Sequence, residues 1–181
     1  MIINKPWKHE IIDDFLEQED FEFLSKVDIS TPEDGGMELS KNQIFKDGQL
    51  NSSYPYDFLK RFEKRYFQKC IDILERHAPD KVDDVKYMEL NVVVTGKTFE
   101  FPVHPDSEDK LLSCVIYLQP EENIGTILYD AEDGDPVATC EWKQNRCMIF
   151  SRGDETWHSY QSDGKSERRT LVLNLRGYYE E

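Results

Sequence analysis

After residue 84 the sequence changes its period. Runs at 85–94, 98–103, 111–118, 126–129, 137–142, 146–150, 156–161 and 169–175 are short and rich in Val, Ile, Leu, Tyr, Phe and Thr. Turn formers separate them: Gly96, residues 120–123, Asp133-Gly134-Asp135-Pro136, Arg152-Gly153-Asp154 and Ser162-Asp163-Gly164. Seven or eight strands punctuated this regularly build a sandwich or barrel rather than alternating βαβ units. A jelly-roll-like double sheet of antiparallel strands is the expected core.

Upstream the signal is helical. Phe58, Leu59, Phe62, Tyr66, Cys70 and Leu74 recur every three to four residues, which predicts a helix over 55–77. Pro55 suits its first turn and Pro79 stops the pattern. Before it, a short strand at 11–16 turns at Asp13-Asp14, and a helix over 17–27 points Phe21 and Leu24 at the core. Residues 28–54 are polar, with only Met37, Leu39, Ile44 and Phe45 to pin them. A connection that long is either a lid or disordered, and the sequence does not decide. The fold class is therefore α+β, mainly β. A single domain fills 1–181, with 1–84 as helical support and lid loop and 85–177 as the double-sheet core.

The chain carries 22 Lys and Arg against 37 Asp and Glu, a net charge of −15 over 181 residues. A surface that tracks phosphates needs concentrated cations. The nearest approach is Lys60, Arg61, Lys64, Arg65 and Lys69, interleaved with acids along the long helix and read as a solvated face. No nucleic-acid partner is expected. No apolar run reaches the length of a membrane span, and residues 1–6 lack a signal peptide's apolar stretch, so a cytoplasmic chain without a membrane partner is expected. Cys70 and Cys114 read as small core residues. Cys140 and Cys147 flank a turn where they could face each other across a hairpin, reduced in such a compartment.

Four histidines stand in the sequence. His9 precedes the first strand, and His77 ends the long helix, where a cation suits the helix C-terminus. Both read as structural. His104-Pro105-Asp106 closes a strand, and residues i and i+2 can share one face. His158 starts a later strand. Two imidazoles and one carboxylate on a rigid sheet are the facial set that binds Fe(II) while leaving positions open. Independently, Arg168 and Thr170 share a face of the last strand, where a guanidinium and a hydroxyl can grip one carboxylate. A surface acid such as Glu167 is the alternative partner for Arg168, and Thr170 is also a good strand former. Leu111, Ser113, Val115 and Tyr117 share a face of their own strand.

In these motifs the sequence resembles the Fe(II)- and 2-oxoglutarate-dependent dioxygenases, in particular the prolyl 4-hydroxylase-like branch. The resemblance covers about residues 85–177. It runs in order through His104 and Asp106, the strand ending in Tyr117-Leu118, the segment 124–129, the segment 150–158 ending in His158, and Arg168-Arg169-Thr170-Leu171 as an R-x-S-L-like pattern. It departs from the family at Ile124-Gly125, where relatives carry a glycine pair, and at Val94, where many carry a tyrosine. The doubled arginine leaves two registers; Arg168 is preferred because it puts Thr170 at the serine position.

The resemblance implies a double-stranded β-helix that holds Fe(II) on His104, Asp106 and His158, with Arg168 also serving catalysis. Tyr117, Arg168 and Thr170 would contact 2-oxoglutarate. O2 would be the second co-substrate, and ascorbate a possible reductant. The implied activity is hydroxylation of a C–H bond coupled to decarboxylation of 2-oxoglutarate, on a peptidyl residue such as proline or on a small molecule. Two other classes fit part of the pattern: a non-catalytic module that binds a metal or carboxylate, and a zinc hydrolase on the same triad.

Overall fold

Alternation along three neighbouring strands divides the interior of the protein in two. The computed structural model describes residues 2–30 and 35–178. In chain order the elements are β1 (Ile2–Ile3), β2 (His9–Ile12), α1 (Gln18–Ser25), β3 (Met37–Leu39), β4 (Gln43–Phe45), β5 (Leu50–Asn51) and α2 (Tyr56–His77). A 3₁₀ turn at Pro79–Asp84 leads into β6 (Tyr87–Thr95), β7 (Glu100–His104), β8 (Lys110–Gln119) and β9 (Thr126–Tyr129). The chain ends with β10 (Pro136–Cys140), β11 (Cys147–Phe150), β12 (His158–Gln161) and β13 (Arg168–Arg176). A large sheet runs β1-β2-β11-β8-β13-β6-β4-β5, with β3 also on β6, and a small sheet runs β10-β9-β12-β7. The pairings are antiparallel, and the eight strands from β6 onward divide four and four between the sheets, as the expected double-sheet core requires.

On β8, Leu112, Cys114, Ile116 and Leu118 join one apolar cluster with Phe58, Leu59, Phe62, Tyr66 and Leu74 of α2. Leu171, Leu173 and Leu175 of β13, and Met88, Leu90, Val92 and Val94 of β6, face the same way. The alternate residues face the small sheet and line a cavity, because successive side chains of a strand point to opposite faces. Val94 thus packs on the helix side, and the departure from the family pattern at that position does not reach the cavity.

Several expectations need correction. Residues 28–54, left open by the sequence between a lid and a disordered connection, contribute β3, β4 and β5 to the edge of the large sheet, while 31–34 lie outside the described residues. Asn42 fixes this edge: its N–H donates to Asn91 Oδ1 at 2.9 Å and its side chain donates to the Leu90 carbonyl at 3.1 Å. The first longer strand is His9–Ile12 rather than 11–16, with Asp14 in the left-handed region at φ 51°. Cys140 and Cys147 do not face each other across a hairpin; β10 lies in the small sheet and β11 in the large one, and both thiols are free. His77 is a buried neutral group rather than a capping cation. Burial lowers its pKa, against the pull of Glu10, whose carboxylate lies 3.5 Å from Nε2.

The basic face of α2 is also more than a solvated surface. Asp20 of α1 is fully buried, and its carboxylate accepts from Arg61 (3.0 Å), Arg65 (2.8 Å) and the Tyr66 hydroxyl (2.9 Å). Lys69 lies 3.9 Å from the Phe15 ring centroid. Removing one partner of a buried ion pair leaves the others uncompensated and costs about 3–5 kcal/mol. The half-exposed arginines place Asp20→Ala at the low end, a loss of about 3 kcal/mol by urea denaturation. A loss below about 0.5 kcal/mol would show that the cluster does not join the two helices.

Candidate active site

His104 ends β7 and His158 begins β12, and the two residues face each other across the small sheet. Asp106 lies two residues past β7 with its backbone carbonyl accepting from Arg152 Nε at 3.2 Å. One ligand-capable atom from each of His104, Asp106 and His158 lies within 4.8 Å of the other two. Each imidazole has its Nδ1 beside a backbone carbonyl, Pro102 O at 2.8 Å for His104 and Thr156 O at 2.9 Å for His158. A carbonyl only accepts, so each Nδ1 carries the proton and each Nε2 presents a lone pair. That is the tautomer in which a metal-ligating histidine is oriented. The rings of Phe150 and Trp7 pack against His158, with centroids at 5.0 and 6.5 Å, and fix its plane.

The Asp106 carboxylate accepts from Lys110 Nζ at 2.6 Å and from Ser113 Oγ at 2.5 Å. Burial opposes its charge, but Lys110 and His158, with these two hydrogen bonds, outweigh burial and hold its pKa below the usual value. Burial also pushes the His158 pKa down to about 4, Asp106 pulling the other way. At neutral pH both groups are in the form that binds a cation.

Arg168 and Thr170 line the same cavity, whose volume is about 340 Å³, and Arg169 turns away to donate to the Val27 and Ile29 carbonyls. The Arg168 guanidinium is buried against the Tyr160 ring at 3.9 Å, with Tyr117 and Trp142 at 5.5 and 5.6 Å. It forms no ion pair among the described residues, and its Nε has no hydrogen-bond partner there. Burial lowers its pKa, as expected for a cation in apolar surroundings. Tyr160, on which the guanidinium rests, and His158 of the triad both line the cavity from β12.

Tyr117 lies beside the Arg168 guanidinium, which stands 5.5 Å from the Tyr117 ring centroid. It is fully buried behind the cavity wall, its ring stacked on Trp142 at 4.6 Å. Its hydroxyl accepts from the Thr126 N–H at 2.9 Å and lies 3.1 Å from the Cys140 carbonyl. Thr126 and Tyr160 line the cavity beside Arg168. Sequence reasoning also missed Lys110 and Ser113 on Asp106, although Lys110 stands four residues from it and Ser113 shares a strand face with Val115.

No protein-family model and no curated protein matches the sequence. Solved structures do match along nearly the whole chain. A prolyl-4-hydroxylase from Pseudomonas putida superposes with TM-score 0.63 at 16% identity, covering 94% of this chain and 93% of that one. The dioxygenase for auxin oxidation 1 from Arabidopsis thaliana, solved with 2-oxoglutarate, gives 0.66 at 11% identity over 98% and 86%. A prolyl hydroxylase from Trichoplax adhaerens, solved with a hypoxia inducible factor peptide fragment, gives 0.58 at 15% over 93% and 83%. The chain has the fold of the 2-oxoglutarate- and Fe(II)-dependent oxygenases. Within that fold its His-Asp-His cluster stands on the small sheet, and its buried arginine on the last strand of the large one. No helix among the described residues is long and apolar enough to cross a membrane.

The histidine environment sets a pH dependence. With its folded pKa near 4 against about 6.5 unfolded, His158 adds stability that is full above pH 6.5 and is lost as pH falls towards 4. Metal-free protein should lose up to about 3 kcal/mol from this group between pH 7 and pH 4. His158→Gln should show a shallower decline in urea midpoint over that range; an unchanged slope would contradict a buried, neutral His158.

Proposed function

We propose that the protein is an Fe(II)- and 2-oxoglutarate-dependent dioxygenase that hydroxylates an unactivated C–H bond. The observation that carries this reading is the pairing of two features in one cavity: three converging ligand atoms and a buried arginine with no counter-ion among the described residues. The donor set fits ferrous iron, since two imidazole nitrogens and one carboxylate leave coordination positions open. His104, Asp106 and His158 would hold the ion. Bound there, it supplies the chelation of the keto acid and the electron transfer to O2.

The chain's own groups do the positioning. Arg168 would receive the distal carboxylate of 2-oxoglutarate, with the Thr170 and Thr126 hydroxyls beside it, and Tyr117 would act from behind by holding Thr126. A planar guanidinium matches both oxygens of a carboxylate, and the buried setting strengthens the pair. Tyr160 and Trp142 exclude water from that end. Overall, one oxygen atom enters the C–H bond as hydroxyl and the other ends in succinate. Two electrons come from decarboxylation of the keto acid and two from the C–H bond. Ascorbate would return the ion to the ferrous state after uncoupled turnover. The substrate would be a peptidyl residue such as proline, a reading supported by the peptide in the Trichoplax adhaerens enzyme, or a small molecule.

A zinc hydrolase on the same ligands would need a free carboxylate base at the metal. The other acid that lines the cavity, Glu89, is tied to Arg176 Nε at 2.7 Å and to Asn174 Nδ2 at 3.0 Å.

Anaerobic protein with Fe(II) and 2-oxoglutarate should develop a weak visible charge-transfer band and, once in air, release succinate slowly without substrate. His158→Ala should abolish both; a band that survives it would refute the ligand assignment. Arg168→Leu should keep metal binding and weaken 2-oxoglutarate roughly 100-fold, the loss of two charged hydrogen bonds, read by titrating the band. Unchanged affinity would refute the anchor.

A further inference from the structure

The cavity does not end at the triad. Ser113, which holds Asp106, pairs across β8 and β13 with Asn174, and Asn174 pairs with Glu89 on β6. One step along, Val115 pairs with Val172 and Val172 with Asn91. Polar side chains therefore run sideways from the triad across three strands, each about 5 Å from the next.

Their hydrogen bonds are incomplete in a particular way. Asn174 is buried, and its Nδ2 donates to Glu89 Oε2 at 3.0 Å, while its Oδ1 has no partner among the described residues. Arg176 also donates to Glu89 Oε2, at 2.7 Å, which leaves Glu89 Oε1 without a hydrogen bond there. Two acceptors side by side, one of them charged, call for a donor with several N–H groups. On the neighbouring row, Asn91 Oδ1 accepts from the Asn42 N–H at 2.9 Å, and the Asn91 NH2 is free of partners among the described residues. Lys41, adjacent to Asn42, reaches the same cavity.

The charges point the same way. Four cations line the cavity, Lys41, Lys110, Arg168 and Arg176, against the acids Glu89 and Asp106. Lys110 is paired with Asp106, and Arg176 with Glu89 and with Asp109 from behind. Arg168 is assigned above to the keto acid. Lys41 is left with no ion pair or hydrogen bond among the described residues, at the rim of a cavity in a protein of net charge −15. Met37, Leu39 and Val93 supply an apolar wall beside it.

We propose that this space takes a free aliphatic α-amino acid, its ammonium on Glu89 Oε1 and Asn174 Oδ1 and its carboxylate on Lys41 and the Asn91 NH2. The assignment rests on the oxygenase reading for the chemistry that follows binding, but not for binding itself. The amino acid's side chain would then lie towards Val172 and towards Ser113, whose hydroxyl donates to the Asp106 carboxylate. Its C–H bond would receive one oxygen atom from O2, with 2-oxoglutarate as the reductant and succinate and CO2 as the other products.

The test is calorimetric titration of the protein loaded with Mn(II) and 2-oxoglutarate, using free leucine, isoleucine, valine and proline. Their N-acetyl and C-amide derivatives are titrated alongside. At least one free amino acid should bind, and both capped forms should bind at least tenfold more weakly. Lys41→Met should weaken the free acid about tenfold, and Lys41→Arg should restore it. In air with Fe(II), the bound amino acid should gain the mass of one oxygen atom. Binding of the N-acetyl form as tightly as the free acid, preference for the fully capped form, or indifference to Lys41→Met would each overturn the proposal. Failure of every free amino acid to bind while the charge-transfer band persists would overturn it and leave the oxygenase reading intact. Binding of an amino acid without that band would sustain it and remove the oxygenase reading.

Discussion

The two-residue alternation of β6, β8 and β13 is the constraint from which the rest follows. Leu171, Leu173 and Leu175 go to the helix-side core, so Arg168, Thr170, Val172, Asn174 and Arg176 must go to the cavity. A slip of one residue would bury Asn174 and Arg176 among leucines and expose the core face, which fixes the register strongly. The same rule delivers Ser113 to Asp106 and Glu89 to Asn174 through cross-strand pairs, with no loop needed to carry them. α2 then acts at a distance: its apolar stripe covers the outer face of the large sheet and leaves the inner face for chemistry.

Within the cavity, local hydrogen bonds decide what each group can do. The carbonyls of Pro102 and Thr156 hold two imidazoles in one tautomer, and Lys110 with Ser113 holds Asp106 ionised. Arg168 is the costly element. A guanidinium buried among Tyr160, Tyr117 and Trp142 without an acid among the described residues carries an electrostatic cost that a bound dicarboxylate would relieve. An ionic group placed in advance is what a site for a charged ligand needs, because little reorganisation is left at binding.

The strands and the long helix were legible from local periodicity, while His104, Asp106, His158 and Arg168 were singled out by their spacing together with the order of motifs shared with the oxygenase family. Arg168 was favoured over Arg169 because it sets Thr170 at the serine position of the family pattern, and the structure places Arg168 on the cavity side. What was not legible depends on distant partners. Residues 28–54 look like a loop because β3, β4 and β5 are two or three residues long and become strands only by pairing with β6 or with each other. Asp20 looks like a surface acid until Arg61 and Arg65 meet it from forty residues away. His77 sits at a helix end where a cation is favoured, but β2 brings Glu10 and burial to it. Tyr117 shares the inward parity, yet Trp142 stacks over it and Thr126 lies in front. Tyr160 carries no motif at all, and only the sheet crossing sets it on Arg168.

Anomalous diffraction from crystals soaked with Mn(II) and 2-oxoglutarate tests the central claim most directly. The account predicts one metal peak between His104 Nε2, His158 Nε2 and the Asp106 carboxylate, with the acid's distal carboxylate on the Arg168 guanidinium. A metal bound elsewhere, or an acid whose far end points away from Arg168, would contradict it.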